Sequence, residues 1–310
     1  MSAIQIEEIK AWLRFSMEPN IGPVTGRELL SKIGLPQLIF DASYSSLEAY
    51  CQPKLARQLS AAASDEVEAR IELTLQWLQS SPQHGILTWP DEHFPKELFD
   101  LHDAPFLLYY AGQIDTLKKP KLAIVGSRHS TAAGNDNSRA FARYFASKGW
   151  AVVSGLAYGI DKAAHDGALA AGVPESTIAI MATGLDIVYP GEHTDLAVRI
   201  RDNGLLLSEY GIAMQANTFH FPQRNRIVAG LSQGVLVVEA ARRSGSLITA
   251  KQALEYGREV FAIPGSIHSP LARGCHQLIR EGAKLVEKAS DIEEELRAAV
   301  KPLKTTNTAD

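Results

Sequence analysis

The sequence predicts an α/β protein built on a doubly wound, mostly parallel sheet, preceded by a small all-α region, and three observations carry that prediction. Between residues 121 and 288, short apolar runs alternate with amphipathic segments of helical period. The runs are apolar at consecutive positions, as in Leu122-Ala123-Ile124-Val125 and Val235-Leu236-Val237-Val238, so both sheet faces need helices over them. Gly149, Gly172 and Gly257 stand where amphipathic segments should end.

Taken in order, residues 1–80 read as a helical domain. Ile9, Trp12, Leu13 and Phe15 keep helical spacing, as do Leu29, Leu30 and Ile33, then Val67, Ile71, Leu75 and Leu78. Within it, Asn20-Ile21-Gly22-Pro23-Val24-Thr25 before a helix is similar to a degenerate helix-hairpin-helix or SAM-like turn, which can offer backbone N–H groups to a phosphate or simply connect two helices. From Pro82 to Pro120, prolines punctuate the runs Ile86-Leu87-Thr88-Trp89 and Phe106-Leu107-Leu108-Tyr109-Tyr110, which suits edge strands. Strands are then expected at 122–125, 150–153, 177–181, 205–208, 234–238, 259–263 and 284–286. Helices are expected near 137–148, 160–171, 193–203, 224–232, 246–256 and 274–281. The second domain is placed at 81–290 and a C-terminal tail at 291–310, frayed from Lys301.

No apolar run has membrane-spanning length, and Met1–Glu8 lacks the regions of a signal peptide, so a cytoplasmic protein without membrane insertion is expected. Cys51 and Cys275 form no CxxC, and the nine histidines show no metal-ligand spacing; no disulfide, metal or cofactor is expected. The net charge of −4 is unevenly distributed: residues 1–118 carry −7, residues 119–290 carry +5 and residues 291–310 carry −2. A basic middle inside an acidic chain can capture a polyanion locally, because clustering sets the potential.

In an open parallel sheet, ligands bind beyond the carboxyl ends of the strands. The unusual turns of this chain all follow strands: Gly126-Ser127-Arg128, Ser154-Gly155, Glu239 to Arg243, and then Ser244-Gly245-Ser246 opening a helix. Glycine permits close backbone approach, hydroxyls donate, and helix N-termini offer unpaired N–H groups. Phe221-Pro222-Gln223-Arg224-Asn225-Arg226 adds two arginines and an aromatic at a helix start, suited to holding a phosphodiester and stacking a base. Arg128, Arg224, Arg226, Arg242 and Arg243 are the expected cationic contacts. Tyr158, Tyr189, Tyr210 and Phe219 are further aromatics near that groove.

Enzymatic readings fare poorly. There is no GxxxxGK[ST], and Arg128 stands where a dinucleotide pyrophosphate wants glycine. Asp161 and His165, four apart on one helix face near Ser154, read as a turn-holding carboxylate and a packed imidazole. Of Glu209 and Glu239, which end strands, one is expected to pair with a neighbouring arginine. No catalytic residue is assigned.

The ordered series Ile124-Val125-Gly126-Ser127-Arg128, Ser154 to Asp161, Ala164-His165, Tyr189-Pro190, Ser208-Glu209, Phe221 to Arg226, Ser244 to Ala250 and Val260 to Gly265 closely resembles the DprA/Smf family of bacterial DNA-processing proteins. The resemblance is dense over 82–288 and loose before it. It implies an extended Rossmann-like domain that forms a homodimer and binds single-stranded DNA. It further implies that the protein protects incoming DNA during natural transformation (competence) and loads the RecA recombinase in the presence of single-strand-binding protein, without catalysis. The family's DNA pocket maps onto Gly126, Ser127, Arg128, Ser154, Gly155, Phe221, Arg224, Asn225 and Arg226, with Arg242, Arg243, Ser244, Gly245 and Ser246 added from the turns. A self-contact is expected at the terminal strand, whose open edge must be covered, through His276 and Leu285; the recombinase contact implied by the resemblance falls near Leu254 and Arg280.

Two departures stand out. Members often carry lysine just before the FPxRNR-like segment, where this chain reads Ala216-Asn217-Thr218-Phe219-His220, and many continue into a winged helix beyond the position of Asp310. The rival reading is a LOG-like nucleotide phosphoribohydrolase on a similar sheet, which uses PGGxGTxxE; Pro264-Gly265-Ser266-Ile267 does not match it.

Overall fold

A computed structural model describes residues 3–299. Six helices come first: α1 Ala3–Met17, α2 Pro23–Lys32, α3 Pro36–Asp41, α4 Tyr44–Leu47, α5 Pro53–Ser60 and α6 Asp65–Gln79. Proline opens α2, α3 and α5, where its missing N–H has no partner to lose. Ser64 caps α6 by accepting from Val67 N. Ile21 is buried and Gly22 precedes α2 without a side-chain cap, so the Asn20–Thr25 turn joins two helices of this block.

The strands are β1 His84–Thr88, β2 Leu107–Gly112, β3 Lys121–Val125, β4 Ala151–Ser154, β5 Thr177–Ile180, β6 Leu205–Ser208, β7 Gly234–Val237, β8 Glu259–Ala262 and β9 Lys284–Leu285. Among the described residues they form one sheet in the order β1-β2-β6-β5-β4-β3-β7-β8-β9. β3 to β9 pair in parallel, while β1 and β2 add antiparallel at one end. The seven expected central strands all form within a residue or two of their expected limits. Of the two proline-punctuated runs, β1 is the edge strand and β2 lies one place inside it.

The remaining helices are α7 Ala132–Ser147, α8 Ile160–Leu169, α9 Thr194–Asn203, α10 His220–Leu231, α11 Gly245–Glu255, α12 Arg273–Arg280 and α13 Ala289–Ala299. Successive strand residues point to opposite faces. Leu122, Ile124, Val152 and Leu236 therefore pack with α7, α8 and α13, whereas Ala123, Val125, Val153, Val235 and Val237 pack with α10, α11 and α12. Both faces are covered, which is why the runs lack polar alternation.

Two boundaries differ from expectation. Residues 289–299 form a helix and not the start of a tail: Asp291 accepts from Glu287 N and Lys288 N at its entry, and Ile292 and Leu296 are buried among Phe141, Phe145 and Phe261. Burying such a pair is worth about 3–6 kcal/mol before ordering costs. The expected frayed segment from Lys301 lies outside the described residues. At the other end, the apolar core runs across residue 80: Trp12, Phe15, Val67 and Ile71 share one cluster with Phe106, Leu107, Tyr109, Met181 and Leu206. The Phe15 and Phe106 rings lie 5.2 Å apart.

The chain order places the site. From β3 it proceeds outward through β4, β5 and β6, then returns along α10 to lay β7 against the opposite side of β3. Leu122 pairs with Gly234 and Val125 with Val237. Where adjacent strands lead to connections on opposite sides, their carboxyl ends leave a crevice between them.

Candidate functional site

A cavity of 510 Å³ occupies that crevice, lined by the turn after β3 (Gly126 to His129), by Ala157 and Asp161 after β4, by Arg224 and Asn225 of α10, and by Ala241 and Arg243 to Ser246 after β7. The turns fit because of glycine. A Cβ at Gly126 would lie 2.6 Å from Ile160 Cγ1 and 2.9 Å from the Glu239 carbonyl oxygen, so only glycine lets β3 close so tightly on α8 and β7. Ser127 N donates to that carbonyl at 2.8 Å, locking the two turns together.

The N-terminus of α11 opens into the cavity. Ser244 is its cap, accepting from Ser246 N, and Arg243 and Gly245 flank it, so first-turn N–H groups and a guanidinium face the same space. The N-terminus of α7 is differently occupied. Glu239 accepts from Thr131 N at 2.9 Å and from the Thr131 hydroxyl at 2.6 Å, placing a carboxylate on that helix end. Arg128 is exposed, and its guanidinium carbon lies 5.2 Å from the Phe221 ring centroid.

The expected cations separate into two groups. Arg128, Arg242 and Arg243 are exposed; Arg128 and Arg243 line the cavity, Arg242 adjoins Arg243 without lining it, and Arg224 reaches the wall although buried. Arg224 is only 4% exposed, donating from NH1 to the Gly155 carbonyl at 2.6 Å and to the Ile180 carbonyl. Burial pulls its pKa down to about 10, opposed by the nearby Asp161 carboxylate; it stays charged at neutral pH. Arg226 is 5% exposed and turned away from the cavity, paired with Asp103 at 3.1 Å and with Glu209. It lines a separate 310 Å³ cavity between the helical block and the sheet, with Ile21, Pro23 and Phe106. The i, i+2 spacing of Arg224 and Arg226 sends them to different sides of α10, where each meets buried acceptors, so Arg226 does not reach the crevice cavity.

Ser154 and Gly155 lie beneath the cavity surface. Ser154 is fully buried, its hydroxyl donating to the Ile124 carbonyl at 2.7 Å, and Gly155 is buried against Arg224. They form the base beneath the cavity and not its lining. Asn225, between the two arginines, does line it; its Oδ1 accepts from Arg224 Nε at 3.2 Å, which holds the amide in place.

The acid–base candidates take the roles their sequence spacing suggested. Asp161 accepts from Gly155 N at 3.1 Å and Ala157 N at 3.3 Å, fixing the turn after β4; burial raises its pKa, while Arg224 and these N–H groups oppose the rise. His165 is fully buried with Nδ1 2.8 Å from Thr177 Oγ1, and burial pushes its pKa down to about 3. Glu209 is the arginine partner, held above the usual carboxylate range by burial against the pull of Arg226.

Residues of the self-contact and recombinase readings lie elsewhere. Leu285 is half exposed on β9, the free edge of the sheet, while Leu278 packs inward. His276 Nε2 is 3.0 Å from the Gly265 carbonyl oxygen. Leu254 and Arg280 are exposed near the ends of α11 and α12. The sequence reading missed His129, Thr249 and Leu271 in the cavity wall. Thr249 had a signal, standing one helical turn beyond Ser246; Leu271, brought in from beyond β8, had none. Among the described residues, no helix is long and apolar enough to cross a membrane, and no cluster of His, Cys, Asp and Glu could hold a metal ion.

Comparison with known proteins gives a consistent result. The family model described as DNA recombination-mediator protein A matches residues 85–297. DNA processing protein DprA of Streptococcus pneumoniae is 49% identical over 214 residues, covering 69% of this chain and 74% of that protein. An X-ray structure of DNA processing protein A from Streptococcus pneumoniae superposes with a TM-score of 0.77 at 37% identity, covering 95% of this chain and 98% of that one. A structure of DNA processing protein A from Helicobacter pylori, described for its single-stranded DNA binding mode, gives a TM-score of 0.63 at 31% identity over 70% of this chain and 97% of that one.

Proposed function

Because this chain belongs to the DNA recombination-mediator protein A family, we propose that it binds single-stranded DNA in the crevice between β3 and β7. The observation that carries the reading is convergence: Arg128, Arg243 and the N-terminus of α11 meet in one open cavity at the carboxyl edge of the sheet. Arg128 and Arg243 supply charge for phosphates, backbone N–H groups of the α11 N-terminus donate to a phosphate oxygen, and Asn225 in the cavity wall and Phe221 beside Arg128 are available to a base. Phosphate contacts of this kind position a strand without reading its sequence.

The wider role follows the same reading. The protein protects incoming single strands in transformation and loads the RecA recombinase in the presence of single-strand-binding protein. It works as a homodimer joined through β9 with His276 and Leu285, and meets the recombinase near Leu254 and Arg280. A two-fold contact would set two crevices on one strand and raise avidity without new contacts. No catalytic step belongs to the reading, since Asp161, His165, Glu209 and Glu239 are all engaged in holding turns, strands or helix ends.

The test is a gel-shift comparison of single-stranded with duplex oligonucleotides, run beside incubation with nucleoside monophosphates. Preference for the single strand with no free base released is expected. Base release that disappears in Glu239→Gln would instead make the protein a nucleotide hydrolase.

A further inference from the structure

Beside the crevice, three aromatic side chains are left partly in solvent. Tyr158 is 42% exposed and Tyr189 50%, and Phe221 is partly exposed. They form a connected arc. Phe221 lies under Arg128, the Tyr189 ring centroid is 5.5 Å from that of Phe221, and Tyr158 is tied by its hydroxyl to Glu192, three residues beyond Tyr189. The arc borders the cavity: Arg128, which covers Phe221, lines it, as does Ala157, the chain neighbour of Tyr158.

The arc is held in place. The Tyr158 hydroxyl donates to Glu192 at 2.7 Å, and its ring meets His193 edge-on at 5.1 Å. Rings fixed in this way lose little freedom when something stacks on them. Glu192 sets an anion beside Tyr158, which disfavours a phosphate there. A run of exposed aromatic rings beside a cationic cavity, with Tyr189 and Phe221 tilted 50° to each other, offers separate faces to bases whose phosphates are held nearby.

We propose that Tyr189 and Tyr158 form a stacking platform for the bases of nucleotides adjoining the one in the crevice, extending the single-strand site beyond the phosphate pocket. The proposal rests on the single-strand reading above and deepens it. Its consequence is that part of the affinity depends on bases and not on charge.

Anisotropy titrations of the full chain test it, using oligo-dT of about 12 nucleotides and an abasic oligomer of equal phosphate count. The parent should favour oligo-dT by about tenfold or more. Replacing both tyrosines by alanine should remove most of that preference and leave abasic binding unchanged, while Tyr189→Phe, which keeps the ring and leaves the Tyr158–Glu192 bond intact, should keep parent affinity. Equal weakening on both oligomers, an alanine variant that binds oligo-dT like the parent, or a parent without preference would each overturn the platform. Failure of the parent to bind either oligomer would instead overturn the DNA reading beneath it.

Discussion

The Arg224 guanidinium lies directly on Gly155: NH1 donates to the Gly155 carbonyl at 2.6 Å, and a Cβ at position 155 would stand 2.6 Å from the guanidinium carbon. The glycine makes room for the arginine, and the arginine ties α10 to the ends of β4 and β5 beneath the crevice. Arg224→Met should therefore act through stability. It leaves the Gly155 and Ile180 carbonyls unpaired, at about 1–3 kcal/mol each. Gly155→Ala should be destabilising for the converse reason. Denaturant unfolding is the measurement; a Met variant as stable as the parent but unable to bind DNA would make Arg224 a direct contact.

The exposed arginines should control salt dependence. With Arg128, Arg242 and Arg243 on phosphates, the slope of log K against log salt should be about −2, from about 0.7 per single-strand contact. Arg243→Gln should flatten it by about 0.7. Arg226→Gln should lower the melting temperature and leave the slope of the folded protein alone, since Arg226 is paired with Asp103 and Glu209. An Arg226→Gln slope that matches that of Arg243→Gln would return Arg226 to the groove.

This division marks how far the sequence could be read. Strands between 121 and 288 were legible because a sheet covered on both faces leaves uninterrupted apolar runs. Helix starts were less so: Ala132 to Asn137 looks like a loop, yet Thr131 accepts from Gly134 N and begins α7 there. Likewise α10 begins at His220, with Pro222 in a first turn that needs no N–H from it. The fate of Arg224 and Arg226 was not legible, because their partners at 103, 155, 180 and 209 come from other elements and only the folded sheet gathers them.

Acid should weaken the fold through His165. Its folded pKa, about 3, lies below the unfolded value near 6.5, so the unfolded chain binds more protons and stability falls as pH drops below about 6.5. At pH 5.5 the loss from this residue is about 1.4 kcal/mol. Asp161 and Glu209, with raised folded pKa values, act in the opposite sense, so His165 must be read from the difference between the parent and His165→Gln. If both proteins lose equal stability between pH 7.5 and 5.5, the imidazole is not the cause.

Truncation separates fold from site. A fragment starting at Ser81 uncovers Phe106, Leu107 and Tyr109, which the helical block buries, and should melt well below the full chain. Every residue lining the crevice is retained, so whatever fraction remains folded should bind within about tenfold of the parent, 1.4 kcal/mol. A folded fragment with far weaker binding would assign the Ile21-Gly22-Pro23 turn a part in DNA contact.

The β9 edge predicts assembly. Replacing His276 and Leu285 with charged residues should give a folded monomer with reduced affinity for long oligonucleotides, as avidity is lost. Light scattering decides: a double variant that keeps the parent's mass would place the self-contact elsewhere.

The most direct test of the crevice as the single-strand site is an anisotropy titration of labelled oligo-dT with the parent and with Arg128→Glu combined with Arg243→Glu, at low salt and with folding verified. Both side chains are exposed, so the variant should fold, and it should bind at least about a hundredfold more weakly, because two attractive charges become repulsive. Unchanged affinity in the folded variant would contradict the account, because no DNA held in this cavity could be indifferent to both reversals.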